Sequence, residues 1–195
     1  MKIIGLTGGI GMGKSTAAAA FRRAHIPVFD ADTTVHRLQA TGGRAVPTIG
    51  AAFPGTVRDG VVDRAALRNA VFGKPDCLRR LEAILHPMVQ QEELAFLARA
   101  RRSGHRVAVL DIPLLFETGG DARVDRVVVV SAPRDVQTHR VRLRRHMTTA
   151  AIAAIIARQM PDAAKRRRAD VVIRTGLSRH YALRRLRRLI HELQV

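Results

Sequence analysis

A single cysteine, Cys77, among 195 residues leaves no internal disulfide to form. Tryptophan is absent, and there are one tyrosine and six phenylalanines. That is too few rings for a single-strand nucleic-acid platform built on base stacking. The lone asparagine, Asn69, precedes Ala70, so the Asn-Lys-x-Asp segment used to recognise guanine is missing. No apolar run reaches membrane-spanning length. No basic segment with an apolar core of signal-peptide type precedes the first strand pattern. These absences lead us to expect a reduced, cytoplasmic setting and no membrane partner.

Acidic residues are also scarce, 16 against 34 basic ones, for a net charge of +18. Lysine occurs only at positions 2, 14, 74 and 165, so arginine supplies nearly all the positive charge. Between Gln137 and Val195 there are 15 basic residues and three acidic ones, Asp162, Asp170 and Glu192. Such a surface attracts polyphosphate ligands or nucleic acid. An arginine-rich composition with solvated helix faces explains it equally well.

Gly8-Gly9-Ile10-Gly11-Met12-Gly13-Lys14-Ser15 fits G-x-x-x-x-G-K-[ST], the phosphate-binding P-loop pattern, which continues into Thr16. Its glycines let backbone N–H groups turn inward around the α and β phosphates of a nucleoside triphosphate. Lys14 reaches the β and γ phosphates, and the Ser15 hydroxyl is a ligand for Mg²⁺. The apolar Ile3–Leu6 stretch predicts a buried strand before the loop, and the alanine-rich run from Ser15 to Phe21 predicts a helix after it. This is the context the motif requires.

The length fits one compact α/β unit with insertions. His25 to Phe29 reads as a second strand that delivers Asp30-Ala31-Asp32 to the C-terminal edge of a parallel sheet, where ligands bind. Asp30 suits a helix cap and Asp32 is the catalytic candidate. Residues 41–60, rich in Gly, Pro and Thr, read as a loop. Helical patterns cover 63–72 and 75–102, with Pro87 expected to bend or end the second. His86 reads as a packed or capping histidine or as a ligand. Strands at 106–110, 127–130 and 171–173 follow, the first bringing Asp111 to the position associated with Mg²⁺ in P-loop proteins. Helical stretches near 135–145, 148–160 and 161–168 separate the last two strands. A final amphipathic helix from Ser178 sets Ala182, Leu186, Leu189, Ile190 and Leu193 on one face. Arg140 and Arg144, four apart, share a helix face. They suit the stabilisation of transferring phosphoryl oxygens. Arg158 opens a second cluster with Lys165 and Arg166–Arg168, of which the 166–168 run reads as a solvated face.

In order and spacing, these motifs resemble the dephospho-CoA kinase family over essentially the whole chain. The resemblance rests on Gly5 to Gly11, Lys14-Ser15-Thr16, Asp30-Ala31-Asp32, His86-Pro87, Asp111 to Glu117, Ala157 to Pro161, and Lys165 to Asp170. It implies an α/β P-loop NTPase kinase fold of three layers, with a parallel sheet of about five strands, a helical acceptor-binding insertion and a helical lid. One domain, 1–195, would divide into a core (about 1–34, 103–135 and 166–195), an acceptor region (35–102) and a lid (136–165).

The implied reaction is ATP-dependent phosphorylation of the ribose 3′-hydroxyl of dephospho-CoA, the last step of CoA biosynthesis. The resemblance makes Asp32, Lys14 and Arg140 catalytic. Gly11, Met12, Gly13, Lys14, Ser15, Thr16 and Arg144 would bind ATP, and Ser15 and Asp111 would bind Mg²⁺. Asp32, His86, Leu114, Leu115 and Phe116 would bind the acceptor. Met12 stands where the family commonly has serine, Arg145 and His146 where less basic residues are expected, and Arg174 where an acidic one is frequent. The expected partners are dephospho-CoA and ATP, with no obligate nucleic acid, in a monomer or small homo-oligomer. Another P-loop nucleoside or nucleotide kinase is the enzymatic alternative, and a nucleic-acid-binding ATPase the alternative from a different class.

Overall fold

The computed structural model describes residues 1–145, 148–157 and 159–194, and within these the side chains of all residues except 144, 145, 149 and 150. Along the chain run β1 (Lys2–Thr7), α1 (Lys14–Arg23), β2 (Val28–Asp30), α2 (Ala31–Gln39), α3 (Val46–Ala52), β3 (Val57–Arg58), β4 (Val61–Val62), α4 (Arg64–Val71), α5 (Pro75–Arg102) and β5 (Val107–Asp111). A short 3-10 turn (Gly120–Arg123) leads to β6 (Arg126–Ser131), α6 (Arg134–Arg145), α7 (Thr149–Ala157), α8 (Asp162–Arg168), β7 (Val171–Arg174) and α9 (Arg179–Gln194). The chain divides into two compact units, Met1–Phe29 with Arg99–Val195, and Asp30–Ala98. Among the described residues, no helix is long and apolar enough to cross a membrane.

The first unit is built on a five-stranded sheet of order β2-β5-β1-β6-β7. β1 pairs in parallel with β5 and β6, and β6 with β7. A parallel sheet covered on both faces needs apolar residues in succession rather than in alternation. All of β5 and Val127–Ser131 of β6 are accordingly buried. The core joins Ile4 and Leu6 of β1 and Ala17, Ala18 and Phe21 of α1 to the predicted apolar face of α9: Ala182, Leu186, Leu189, Ile190 and Leu193.

The second strand is shorter than expected because His25 belongs to the end of α1. Its backbone is left-handed, with φ 56°. His25 N–H donates to Arg22 O at 3.0 Å and Ile26 N–H to Phe21 O at 3.1 Å. This pair of bonds is a Schellman termination, and it delays the extended backbone until Val28.

The second unit has its own core, including Leu38, Ile49, Phe53, Val62, Leu67, Leu81 and Leu85. Asp30 caps α2 by accepting from Thr33 N–H at 2.9 Å, as expected of a residue at a strand-to-helix turn. Glu92 on α5 accepts from Arg37 at 2.5 Å and from Arg44 at 2.8 Å, tying α2 and the segment after it to α5.

Residues 41–60 are not the loop expected from their composition. Pro47 lies in the first turn of α3, where its missing N–H costs nothing. Asp59 and Gly60, with φ 49° and 73°, form the two-residue turn of the antiparallel β3–β4 hairpin. α5 also continues through Pro87 rather than ending there. Pro87 is solvent-exposed, so water is available to the carbonyl that loses its helical partner.

His25 is the cheapest place to test the α1 termination, because it is exposed and pays the left-handed penalty that glycine avoids. His25→Gly is expected to stabilise the protein by about 1 kcal/mol, read as a higher urea midpoint at unchanged slope. A lower midpoint would show that the side chain matters more than the backbone angle.

Candidate functional site

The loop between β1 and α1 lies against the end of β6. A Cβ at Gly8 would come within 2.7 Å of the Val130 carbonyl oxygen, so only glycine permits this approach. Gly13 is left-handed at φ 94° and stands at the N-cap of α1, which brings Lys14 and Ser15 into the first helical turn. There the unpaired N–H groups and the helix dipole favour an anion.

Sheet register sets the central contact. Leu6 of β1 is paired with Asp111, the last residue of β5. The chain leaving β1 is therefore directly beside the carboxylate that β5 delivers. Lys14 Nζ contacts Asp111 Oδ1 at 2.5 Å. Asp111 is only 2% exposed, and two charges removed from water at such a place require each other.

Thr175, just beyond β7, braces the loop from the other side. Its hydroxyl donates to Met12 O at 2.7 Å and lies 3.3 Å from Ser131 O. Arg140 on α6 donates to the Thr175 hydroxyl at 3.1 Å and to the Thr175 carbonyl at 2.7 Å. Met12 is buried, and its sulfur accepts from Ala132 N–H at 2.9 Å, so the residue that replaces the common serine has a packing role. Gly11, Gly13, Thr16, Ala17, Arg140 and Thr175 line part of a cavity of 300 Å³ beside the loop.

A second network fixes the segment after β5. Pro113 O accepts from Thr7 Oγ1 at 3.0 Å and from Lys165 Nζ at 3.2 Å. Lys165, 1% exposed, also pairs with Glu117 at 2.8 Å. Glu117 accepts in addition from Met160 N–H at 2.9 Å. Burial raises the Glu117 pKa, but the hydrogen bonds from Lys165 and Met160 outweigh it and hold the carboxyl below its ordinary value.

The structure thus brings Gly11, Met12, Gly13, Lys14, Ser15, Thr16, Asp111 and Arg140 into one unit. Asp32 and His86 are exposed residues of the other unit, on α2 and α5. Leu115 and Phe116, expected among the acceptor contacts, are both buried. Leu115 is 0% and Phe116 5% exposed, packed with Val127 and Val129. The Arg168 guanidinium lies 4.6 Å from the centre of the Phe116 ring. Leu114, 40% exposed, is the member of the trio with surface to offer. Lys165 is an internal strut rather than part of a basic cluster. Arg158 and His146 lie outside the described residues, as do the side chains of Arg144 and Arg145.

Sequence reasoning missed Thr175 and Lys165 as organisers of the site, and with them Gln137 of α6, whose amide donates to Ile10 O at 2.8 Å. Lys165 carried a signal, being the one lysine among arginines. Nothing in the local sequence marked Gln137 or Thr175.

Comparison with known proteins gives a consistent result. The family model described as Dephospho-CoA kinase matches residues 2–178. A relative named Dephospho-CoA kinase from Mesorhizobium japonicum is 55% identical over 194 residues, covering 100% of this chain and 98% of its own. One of the same name from Gluconobacter oxydans is 53% identical over 198 residues, with the same coverages. The crystal structure of TT1252 from Thermus thermophilus is similar with a TM-score of 0.89 at 35% identity, covering 100% of this chain and 98% of that one.

Removing one partner of the buried Lys165–Glu117 pair leaves the other uncompensated. Lys165→Met is expected to cost about 3 kcal/mol at pH 7, measured by urea denaturation. Because the Glu117 pKa is depressed in the folded protein, its stabilising contribution is present above the ordinary value of 4.5 and disappears as pH falls through the folded value. The difference between wild type and Lys165→Met therefore shrinks below pH 4.5. A difference that stays constant with pH would assign the loss to packing instead.

Proposed function

The chain belongs to the dephospho-CoA kinase family, and on that premise we propose that it transfers the γ-phosphoryl group of ATP to the ribose 3′-hydroxyl of dephospho-CoA, giving CoA and ADP. The observation that carries this reading is the Lys14–Asp111 contact at the mouth of the glycine loop. It joins an ammonium on the first turn of α1 to a strand-end carboxylate where triphosphate and metal are handled in P-loop enzymes.

Lys14 exchanges Asp111 for the β and γ phosphate oxygens when ATP binds, and the first-turn N–H groups of α1 receive the remaining phosphate charge. The donors present suit Mg²⁺, since the Ser15 hydroxyl and Asp111 carboxylate are hard oxygen ligands and this ion takes its other ligands from phosphate and water. Held by these residues, Mg²⁺ would supply positive charge to offset that of the phosphates. Arg140, braced on Thr175, stands beside the loop, and with Arg144 we assign it to charge on the transferring group.

Asp32 is our candidate to accept a hydrogen bond from the acceptor hydroxyl. A carboxylate is a weak base toward an alcohol, so alignment contributes more than early proton removal. We assign acceptor binding to the helical segment 35–102, with His86, and to the exposed Leu114. Segment 136–165 is the proposed lid, whose closure excludes water as a competing acceptor. The reaction is cytoplasmic and requires neither membrane nor nucleic acid.

The direct test supplies ATP and Mg²⁺ with dephospho-CoA, adenosine, AMP or duplex DNA in parallel and locates any new phosphate. Phosphorylation of dephospho-CoA alone, at the 3′ position, is expected. Turnover on a nucleoside, or ATP hydrolysis raised by DNA, would overturn the acceptor assignment. In the same assay Lys14→Ala loses about 10²–10³-fold in turnover. Asp32→Asn loses about 10²–10⁴-fold in kcat with little change in ATP affinity, and a kcat near wild type would remove Asp32 from the mechanism.

A further inference from the structure

The tip of the phosphate loop is held by two glutamine side chains that no feature of the P-loop pattern requires. Gln137 Nε2 donates to Ile10 O at 2.8 Å. Ile10 N–H donates to Gln159 Oε1 at 3.2 Å. One residue in the middle of the loop therefore has both of its backbone polar groups satisfied by side chains from segments more than a hundred positions away. The two amides close in on the neighbouring glycine as well. A Cβ at Gly9 would lie 3.1 Å from Gln137 Nε2 and 3.2 Å from Gln159 Oε1.

The origins of the two glutamines give this arrangement its meaning. Gln137 is on the first turn of α6 and is only 3% exposed. Gln159 follows α7, and its own N–H is bonded to Ile156 O. They stand near the two ends of the segment proposed as the lid. The residue after Gln159 donates to Glu117, which pairs with Lys165, and Lys165 returns through Pro113 O to Thr7 at the end of β1. Gln159-Met160 is thus a strut with one residue bonded to the loop tip and the next to the network behind β1.

We propose that Gln137 and Gln159 are positioning residues for the nucleotide: by clamping the Ile10 backbone, one at its carbonyl and the other at its N–H, they hold the phosphate loop in its anion-accepting form and couple it to the two ends of the lid segment. The inference deepens the proposed ATP-dependent reaction and rests on it for its kinetic readout. The physical reason is preorganisation. A loop that samples other conformations binds with an affinity reduced by the fraction of time it is competent. An unclamped Ile10 leaves a carbonyl without its partner, which favours such alternatives.

The test uses Gln137→Met, Gln159→Met and the double variant, since methionine keeps the length of the side chain and removes its hydrogen bonds. Each single variant is expected to raise the KM for ATP, and the Kd for ATP measured by calorimetry, about tenfold, while the KM for dephospho-CoA stays near wild type. Because both side chains hold the same residue, through the two peptides that flank its Cα, the double variant should be only slightly worse than either single one. A merely structural role would lower the melting temperature of the nucleotide-free protein and leave the KM for ATP unmoved. An ATP KM and Kd near wild type in Gln159→Met, or losses that multiply in the double variant, would overturn the proposal. Gln159 is half-buried, so its variant carries the test should Gln137→Met fail to fold. If wild type binds ATP without phosphorylating dephospho-CoA, the acceptor assignment fails, and the clamp is still judged by the calorimetric Kd.

Discussion

Lys14 and Asp111 meet at 2.5 Å because two strands and a helix start are held in one register. Asp111 is delivered by a strand whose five residues are all buried, and Lys14 by the first turn of a helix packed on the same sheet. Neither charge is stable there alone, since the desolvation of a lone buried ion amounts to several kcal/mol. A one-residue slip of β5 against β1 would turn Asp111 to the other face of the sheet and separate the pair. The apolar strands and the alanine face of α1 therefore serve a polar purpose. They fix where a lysine and a carboxylate stand so that a triphosphate can come between them.

The same logic explains why the loop is braced from so far away. A phosphate cradle can satisfy only part of its backbone internally, here the Met12 N–H to Gly9 O bond at 3.1 Å, because other N–H groups must remain available to the ligand. Its stability has to come from neighbours. Thr175 holds Met12 O, and Ala132 donates to the Met12 sulfur. The resulting site draws on segments far apart in the chain, carried by a core in which the apolar face of α9 packs with α1 and the sheet. Long-range contacts of this kind have a high closure cost, met here by a large shared core rather than by any local element.

That division decides what was legible beforehand. The P-loop, the five strands of the sheet and the buried face of α9 are local patterns, and periodicity or spacing is enough to read them. The hairpin at 57–62 was also written locally, as Asp59-Gly60 between Val57-Arg58 and Val61-Val62, but the glycine and proline content around it suggested a loop. His25 looked like the start of a strand because a left-handed angle leaves no trace in a histidine's identity. Leu115 and Phe116 followed a motif whose apolar residues suit a ligand or a core equally. The packing of Gly5, Val127 and Val129 around them, which gives both a place in the core, is invisible in a linear sequence. Thr175 and Gln137 could not be found at all, since their roles consist of hydrogen bonds to residues far off in the chain, Met12 O for Thr175 and Ile10 O for Gln137 above all.

The scarcity of acids and the positive surface are one phenomenon. Many of the few carboxylates are committed to architecture. Asp30 and Asp63 cap helices, Asp125 and Asp170 accept from strand-end N–H groups of Ile3 and Val127, and Asp111 and Glu117 hold lysines. Asp121 and Asp162 pair with arginines of α8. Acids placed for backbone geometry cannot also neutralise the outward rows of α9, whose arginines at 184, 185, 187 and 188 meet a single acid within the helix, Glu192. The field left over is positive. It favours the approach of polyanionic substrates at low ionic strength and fades as the Debye length shortens with salt. The lysine at 165 fits the same account from the inside. A compact ammonium reaches both Glu117 and Pro113 O in a space closed to solvent, whereas the planar fork of an arginine would present more donors than that space has acceptors.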